Sequence, residues 1–171
     1  LHMMTFLAYH GLNAEKYWEL RNKGIREVTA GKHLANQLAH KILDEEIADI
    51  ALVVPDNYFW FGKAIEQNFN ESIWQDGFAN LIAIRQSDWD KQKHHYARNP
   101  KRLVINLSNH FFISSGEFNV ATLPSTIFTG ASDKENTALY FGDLFTTFYG
   151  MTATVGQRLI ARALLEAVKK A

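Results

Sequence analysis

Apolar residues recur at three- and four-residue steps through Leu34, Ala35, Leu38, Ala39, Ile42 and Leu43, which puts them on one face of a helix. Lys32, Asn36, Gln37 and Lys41 fall on its other face, and Thr29 is its candidate cap. A helix also precedes it. Asn13 can cap that helix, Ala14, Tyr17, Trp18 and Arg21 share a face, and Gly24 stands where a left-handed C-terminal residue is wanted. Thr5 to Tyr9 and Ile25 to Val28 read as short strands on either side of it. Ile50 to Val54 is a continuous apolar run stopped by Pro55, the pattern of a strand buried on both faces. Asp56 or Asn57 can cap a helix over Tyr58 to Asn68, which opens on four aromatic residues.

Leu81 to Ile84 and Leu103 to Leu107 are further strands, separated by a polar stretch from Ser87 to Lys101 that reads as a loop. Phe111 to Ile113 begins or continues a strand. Ser114-Ser115-Gly116 then turns the chain into Glu117-Phe118-Asn119-Val120, and Thr126 to Phe128 is a last strand. Ser132 or Asp133 can cap a helix running to about Tyr149, where Gly150 breaks it. Thr154 to Lys170 is a second amphipathic helix with Val155, Leu159, Ala163 and Ala167 on one face. Its closing Lys169 and Lys170 suit the negative end of a helix dipole.

These elements predict a single α+β domain over residues 4–171, and 171 residues suffice for a substantial core. Leu1-His2-Met3 reads as a cloning scar ahead of a start at Met4. The chain has no net charge, which argues against nucleic-acid binding through bulk charge. It has no cysteine, so disulfides, zinc–thiolate sites and a cysteine nucleophile are excluded. No run of about 18 apolar residues occurs, and no basic segment leads into a long apolar one. The expected compartment is the cytoplasm.

The stretch best suited to chemistry is Tyr9-His10-Gly11, a histidine and a glycine at the mouth of a strand-to-helix turn. A glycine lets the backbone approach a flat ring, and an imidazole can hydrogen-bond a hydroxyl from either nitrogen. His10-Gly11, the helix after it and Gly24-Ile25 together resemble the first motif of the ADP-ribosyltransferase superfamily. The resemblance covers about an eighth of the chain. It implies an ADP-ribosyltransferase-like fold, with a mixed or antiparallel sheet core between N-terminal and C-terminal helices. It also implies NAD as a substrate, cleavage of the nicotinamide–ribose bond, and transfer of ADP-ribose to a macromolecular acceptor, protein or nucleic acid, as bacterial toxins and effectors do.

That cleavage passes through a transition state resembling an oxocarbenium ion, so the site must hold the carboxamide, fix the ribose and bring a negative charge close. By the resemblance Gly11 holds the carboxamide, His10 the ribose, and Glu117, just after a turn, is the catalytic carboxylate. The family's middle motif begins with a tyrosine, which Ile25-Arg26-Glu27-Val28-Thr29 lacks. Stacking on nicotinamide then falls to Tyr9, Tyr58 or Trp60, while Arg26 is placed to fork onto a pyrophosphate.

No metal is expected: His94, His95 and His110 have no acidic cluster beside them, and adjacent histidines rarely face one ion. The basic stretch from Lys91 to Arg102 can meet a phosphate-bearing acceptor or be a solvated loop. Against the enzyme stands a reading from another class. An aromatic content of 13% with no net charge also suits a non-catalytic protein-interaction module, such as an immunity protein, an adaptor or a phage structural protein.

Overall fold

A computed structural model describes residues 9, 11, 13–73, 78–97, 99–107, 111–123 and 134–170. Two helices come first, α1 (Ala14–Thr29) and α2 (Leu34–Asp44). Strands and helices then alternate: β1 (Asp49–Val54), α3 (Phe59–Ile73), β2 (Asn80–Arg85), α4 (Trp89–Tyr96) and β3 (Arg102–Asn106). A short β4 (Val120–Thr122) and a 37-residue helix, α5 (Lys134–Lys170), complete the chain. Single 3-10 turns lead into α3 and α4.

The described strands form one sheet in the order β2-β1-β3-β4, and every pairing is parallel. The domain is α/β, and the expected mixed or antiparallel sheet is corrected. The physical reason lies in the connections. Helices or long crossovers join successive strands, with no hairpin turn between them, and a crossover returns the chain in the same direction. From β1 the chain steps outward to β2 with α3 on one face, then back across β1 to β3 with α4 on the other. Reversing the direction of travel while switching faces keeps the crossover hand constant.

Alternate residues of each strand feed two cores. Ile50, Leu52, Leu81, Leu103 and Ile105 pack under α1, α2, α3 and α5. Ala51, Val53, Ile84 and Val104 pack under α4 and under Ile113 and Phe118 of the β3–β4 connection. Burial on both faces explains the unbroken apolar run of β1, as expected from the sequence.

Several local expectations are corrected. Ile25 to Val28 is the last turn of α1, not a strand, and Thr29 closes that helix by donating its hydroxyl to the Ile25 carbonyl. Gly31, not Gly24, is the left-handed stop at φ 72°; the Gly31 and Lys32 amides donate to the carbonyls of Val28 and Glu27. The cap of α2 is His33, whose Nδ1 accepts from the Ala35 amide at 3.2 Å. The polar stretch after Ser87 contains α4, anchored by buried Trp89 and Tyr96. Phe111 to Ile113 is not in a strand.

Gly150 does not break the C-terminal helix. A Cβ there would meet Val28 Cγ2 at 2.8 Å and Ala35 Cβ at 3.0 Å, so the glycine serves the close approach of α5 to α1 and α2. Gly24 serves the same contact from α1, against the side chain of Thr146. Of the expected strand from Thr5, the described residue Tyr9 is helical and exposed. The strand expected over Thr126 to Phe128 lies outside the described residues.

Candidate functional site

The helical layer holds a cleft of about 1050 Å³ above α5, between α1 on one side and α3 on the other. Its floor is the outward row of α5, with Phe145, Tyr149, Ala153 and Gln157 at three- and four-residue steps. Tyr17, Trp18 and Arg21 of α1 form one wall, and Trp60, Gln67 and Glu71 of α3 form the other. Asn13 starts α1 at the right place by accepting from the Glu15 and Lys16 amides at 3.0 and 3.1 Å.

The cleft is aromatic with a few polar groups, the composition of a small-molecule site. Phe145 and Tyr149 stack with ring centres 5.4 Å apart, and Phe61 meets Phe145 edge-on at 4.9 Å. Trp60 stands 76% exposed at the rim, its indole tilted against the Phe59 ring at 5.8 Å between centres. Arg21 lies over the Trp18 ring at 4.7 Å. Burial pushes the Tyr149 phenol up, against a smaller opposing pull from Arg21, and does the same to Tyr17. Both hydroxyls therefore stay protonated at neutral pH and can donate.

Asn36 also lines the cleft, 8% exposed. Its amide nitrogen donates to the Val28 carbonyl at 3.1 Å, while its buried carboxamide oxygen has no partner among the described residues. An acceptor left so costs about 1–3 kcal/mol until something donates to it. Glu71 is the one carboxylate among the described lining residues; it accepts from the Gln67 amide at 2.8 Å.

Of the residues expected from the sequence, Trp60 lines the cleft, and the other described ones do not. His10 lies outside the described residues. Gly11 has φ 62°, a left-handed backbone that favours glycine, just before the α1 cap. Tyr9 is 85% exposed, and Arg26 is exposed on α1. Tyr58 is half-buried in the turn before α3 and packs against the core. None of these four lines the cleft. Glu117 sits exposed in a turn, next to Phe118, which packs on the sheet face opposite α1. The crossover that put the β3–β4 connection on that face also carries Glu117 away from the N-terminal helix.

Open parallel sheets often hold ligands beyond the strand ends where their order reverses, here between β1 and β3. That end is tied together internally. The Leu107 backbone amide donates to the Val53 carbonyl at 3.1 Å, and the Asn106 side-chain Nδ2 donates to the Phe111 carbonyl at 2.7 Å. Asp56 accepts from the Ser87 amide at 3.1 Å, and hydrogen bonds from Ser87 hold its carboxyl below the usual range. Residues 108–110, which include His110, lie outside the described set.

Among the described residues no three histidine, aspartate or glutamate side chains are grouped as a metal would need, and no helix is long and apolar enough to cross a membrane. Glu71, Tyr149 and Gln157 carried no signal in the sequence, since nothing in a helical stripe tells which of its residues will edge a gap. Trp60 stood out as one of four consecutive aromatics, and Trp18 and Arg21 as sharing a helix face. No family model, curated protein or solved structure matches this chain.

Proposed function

We propose that the domain binds a small, flat-ringed ligand in the cleft between α1, α3 and α5, and that NAD is the compound with which to test it first. The observation that carries this is the lining itself: a cavity of about 1050 Å³ with Trp18, Trp60 and Tyr149 around it and, among the described residues, one cation, Arg21, on its wall. Aromatic faces receive planar rings, and a guanidinium forks onto phosphate oxygens. The orphaned Asn36 oxygen supports a ligand bearing an N–H donor, such as a carboxamide or an exocyclic amine.

ADP-ribosyl transfer is a narrower proposal that draws on the sequence as well as on the cleft, since Gly11 does not line the cleft. It rests on His10-Gly11 and on the left-handed backbone of Gly11, and it needs a carboxylate near the ribose. Glu71 is better placed for that role than Glu117, because it edges the cavity.

Thermal unfolding with NAD and with adenosine diphosphate tests the binding. Ligand at a hundredfold its Kd stabilises the native state by about 2.7 kcal/mol. Trp60→Ala and Arg21→Ala are expected to weaken that response while leaving the fold intact. Absence of any response to either compound removes the proposal. Release of free nicotinamide, lost in His10→Ala and in Glu71→Gln, is the expected sign of the transfer chemistry; binding without release leaves a non-catalytic binding domain.

A further inference from the structure

Among the described residues, the Asn36 oxygen is the one buried side-chain polar atom left without a hydrogen-bond partner. The other end of the same carboxamide makes a bond the fold does not need. Its nitrogen donates to the Val28 carbonyl, yet that carbonyl already accepts from the Gly31 amide at 3.0 Å. What the bond does is orient the group: with the nitrogen held on Val28, the oxygen cannot exchange places with it, and the cleft wall carries an acceptor there and no donor. A leucine of similar shape would leave no orphaned group, so packing alone does not account for an asparagine here. The cleft has a second pole of opposite sense. Arg21 lies seven residues before Val28 on α1, about 10 Å along the helix axis. It forms no ion pair among the described residues and rests on the Trp18 ring. Burial raises the Tyr17 and Tyr149 phenols, and Arg21 stands close enough to both to pull the other way. A guanidinium and two protonated hydroxyls thus gather where an anion would be held.

We infer that the cleft takes an adenine nucleotide lengthwise along α1, its ring amine on the Asn36 oxygen and its phosphates on Arg21, and that Asn36 is the residue that selects a ring bearing an amine. This rests on the ligand-binding reading above and adds to it a direction and a discrimination. An acceptor at one end and a cation at the other, separated by about 10 Å of helix, match a ligand with an N–H donor at one end and an anion at the other. The Asn36 oxygen is closed to water. A ring reaches it by a slight parting of α1 from α2, two helices that touch each other far less than each touches α5. Once the ring is seated, a ligand without the amine leaves that oxygen unpaired beside it, which is how a hydrogen-bonding site rejects the wrong analogue.

Titration calorimetry with adenosine diphosphate and with purine riboside diphosphate, in which hydrogen replaces the ring amine, tests this. The wild type is expected to bind the first at least about tenfold more tightly. Asn36→Leu should bind the two alike and melt no lower than the wild type, since it removes an orphaned acceptor and a redundant donor; an asparagine with a structural role would not behave so. Arg21→Ala should lose the advantage of adenosine diphosphate over adenosine and keep the preference for the amine. Equal affinity of the wild type for the two diphosphates, or an Asn36→Leu protein that keeps the preference, would overturn the inference and leave ligand binding standing. Failure of both diphosphates and of NAD to bind would remove the two together. Should Asn36→Leu not fold, the wild-type comparison decides alone.

Discussion

The two halves of α5 carry the same kind of sequence and meet opposite fates. From Leu144 to Val155 the helix is the keystone of the larger core: Phe148, Met151 and Val155 are fully buried, while α1, α2 and α3 enclose it on three sides. From Ile160 onward its apolar residues face water. Amphipathic periodicity is present in both, and in the first half even Thr146, Thr147 and Thr152 are buried. Two of these turn their hydroxyls back to the helix, Thr146 to the Gly142 carbonyl at 2.8 Å and Thr152 to that of Phe148 at 2.9 Å. Burial along this helix is thus set by which neighbours reach it. Polarity at any one position counts for less, because a hydroxyl can be satisfied within the helix and an isopropyl group cannot be satisfied in water.

Truncation measures the contrast most directly. Phe148→Ala should cost about 3–5 kcal/mol, read from urea unfolding, since it empties the centre of the core. Leu164→Ala should change the stability of the dilute chain by less than about 0.5 kcal/mol. Comparable losses at the two positions would mean that the bare half is covered in the monomer. Next in size is overpacking. Gly150→Val drives two methyl groups into Val28 and Ala35 and should cost about 1–3 kcal/mol. Ala163→Val, about three and a half turns on, should be close to neutral by the same assay.

The smallest effect lies outside α5 and is a control on how local these differences are. Asp56 has a lowered pKa in the folded chain because Ser87 donates to it. Its contribution is present above the unfolded carboxylate pKa of about 4 and is lost as pH falls through the folded value. Asp56→Ala should therefore flatten the decline in stability below about pH 4 and leave the ratio between the two halves of α5 unchanged. A steepened acid decline in that variant would contradict the assigned role.

The sequence by itself determined the elements with a local signature. β1 was legible because it is buried on both faces and ends at Pro55, and α2 because Leu34 to Leu43 repeats at the helical period. The start of α1 was legible because Asn13 binds the amides of its own first turn. What depended on neighbours was not legible. Gly24 and Gly150 look like stops to a local reading, yet both are mid-helix positions where another helix presses close, and side-chain volume in α1 and α5 together decides that. His33 caps a helix with a ring nitrogen, a use its residue type does not announce.

The direction of strand pairing, and with it the separation of Glu117 from the N-terminal helix, came only from the crossovers. A strand's apolar pattern is the same whether its neighbour runs with it or against it. The cleft likewise belongs to no segment. Its aromatic rings come from three helices as much as 131 residues apart in sequence (Trp18, Trp60 and Tyr149), and only their packing leaves a gap between them. Periodicity fixes which face of a helix is apolar, because that is a property of one chain segment. Which stretch of that face is covered depends on the shapes of several segments at once, and no single stretch of sequence contains it.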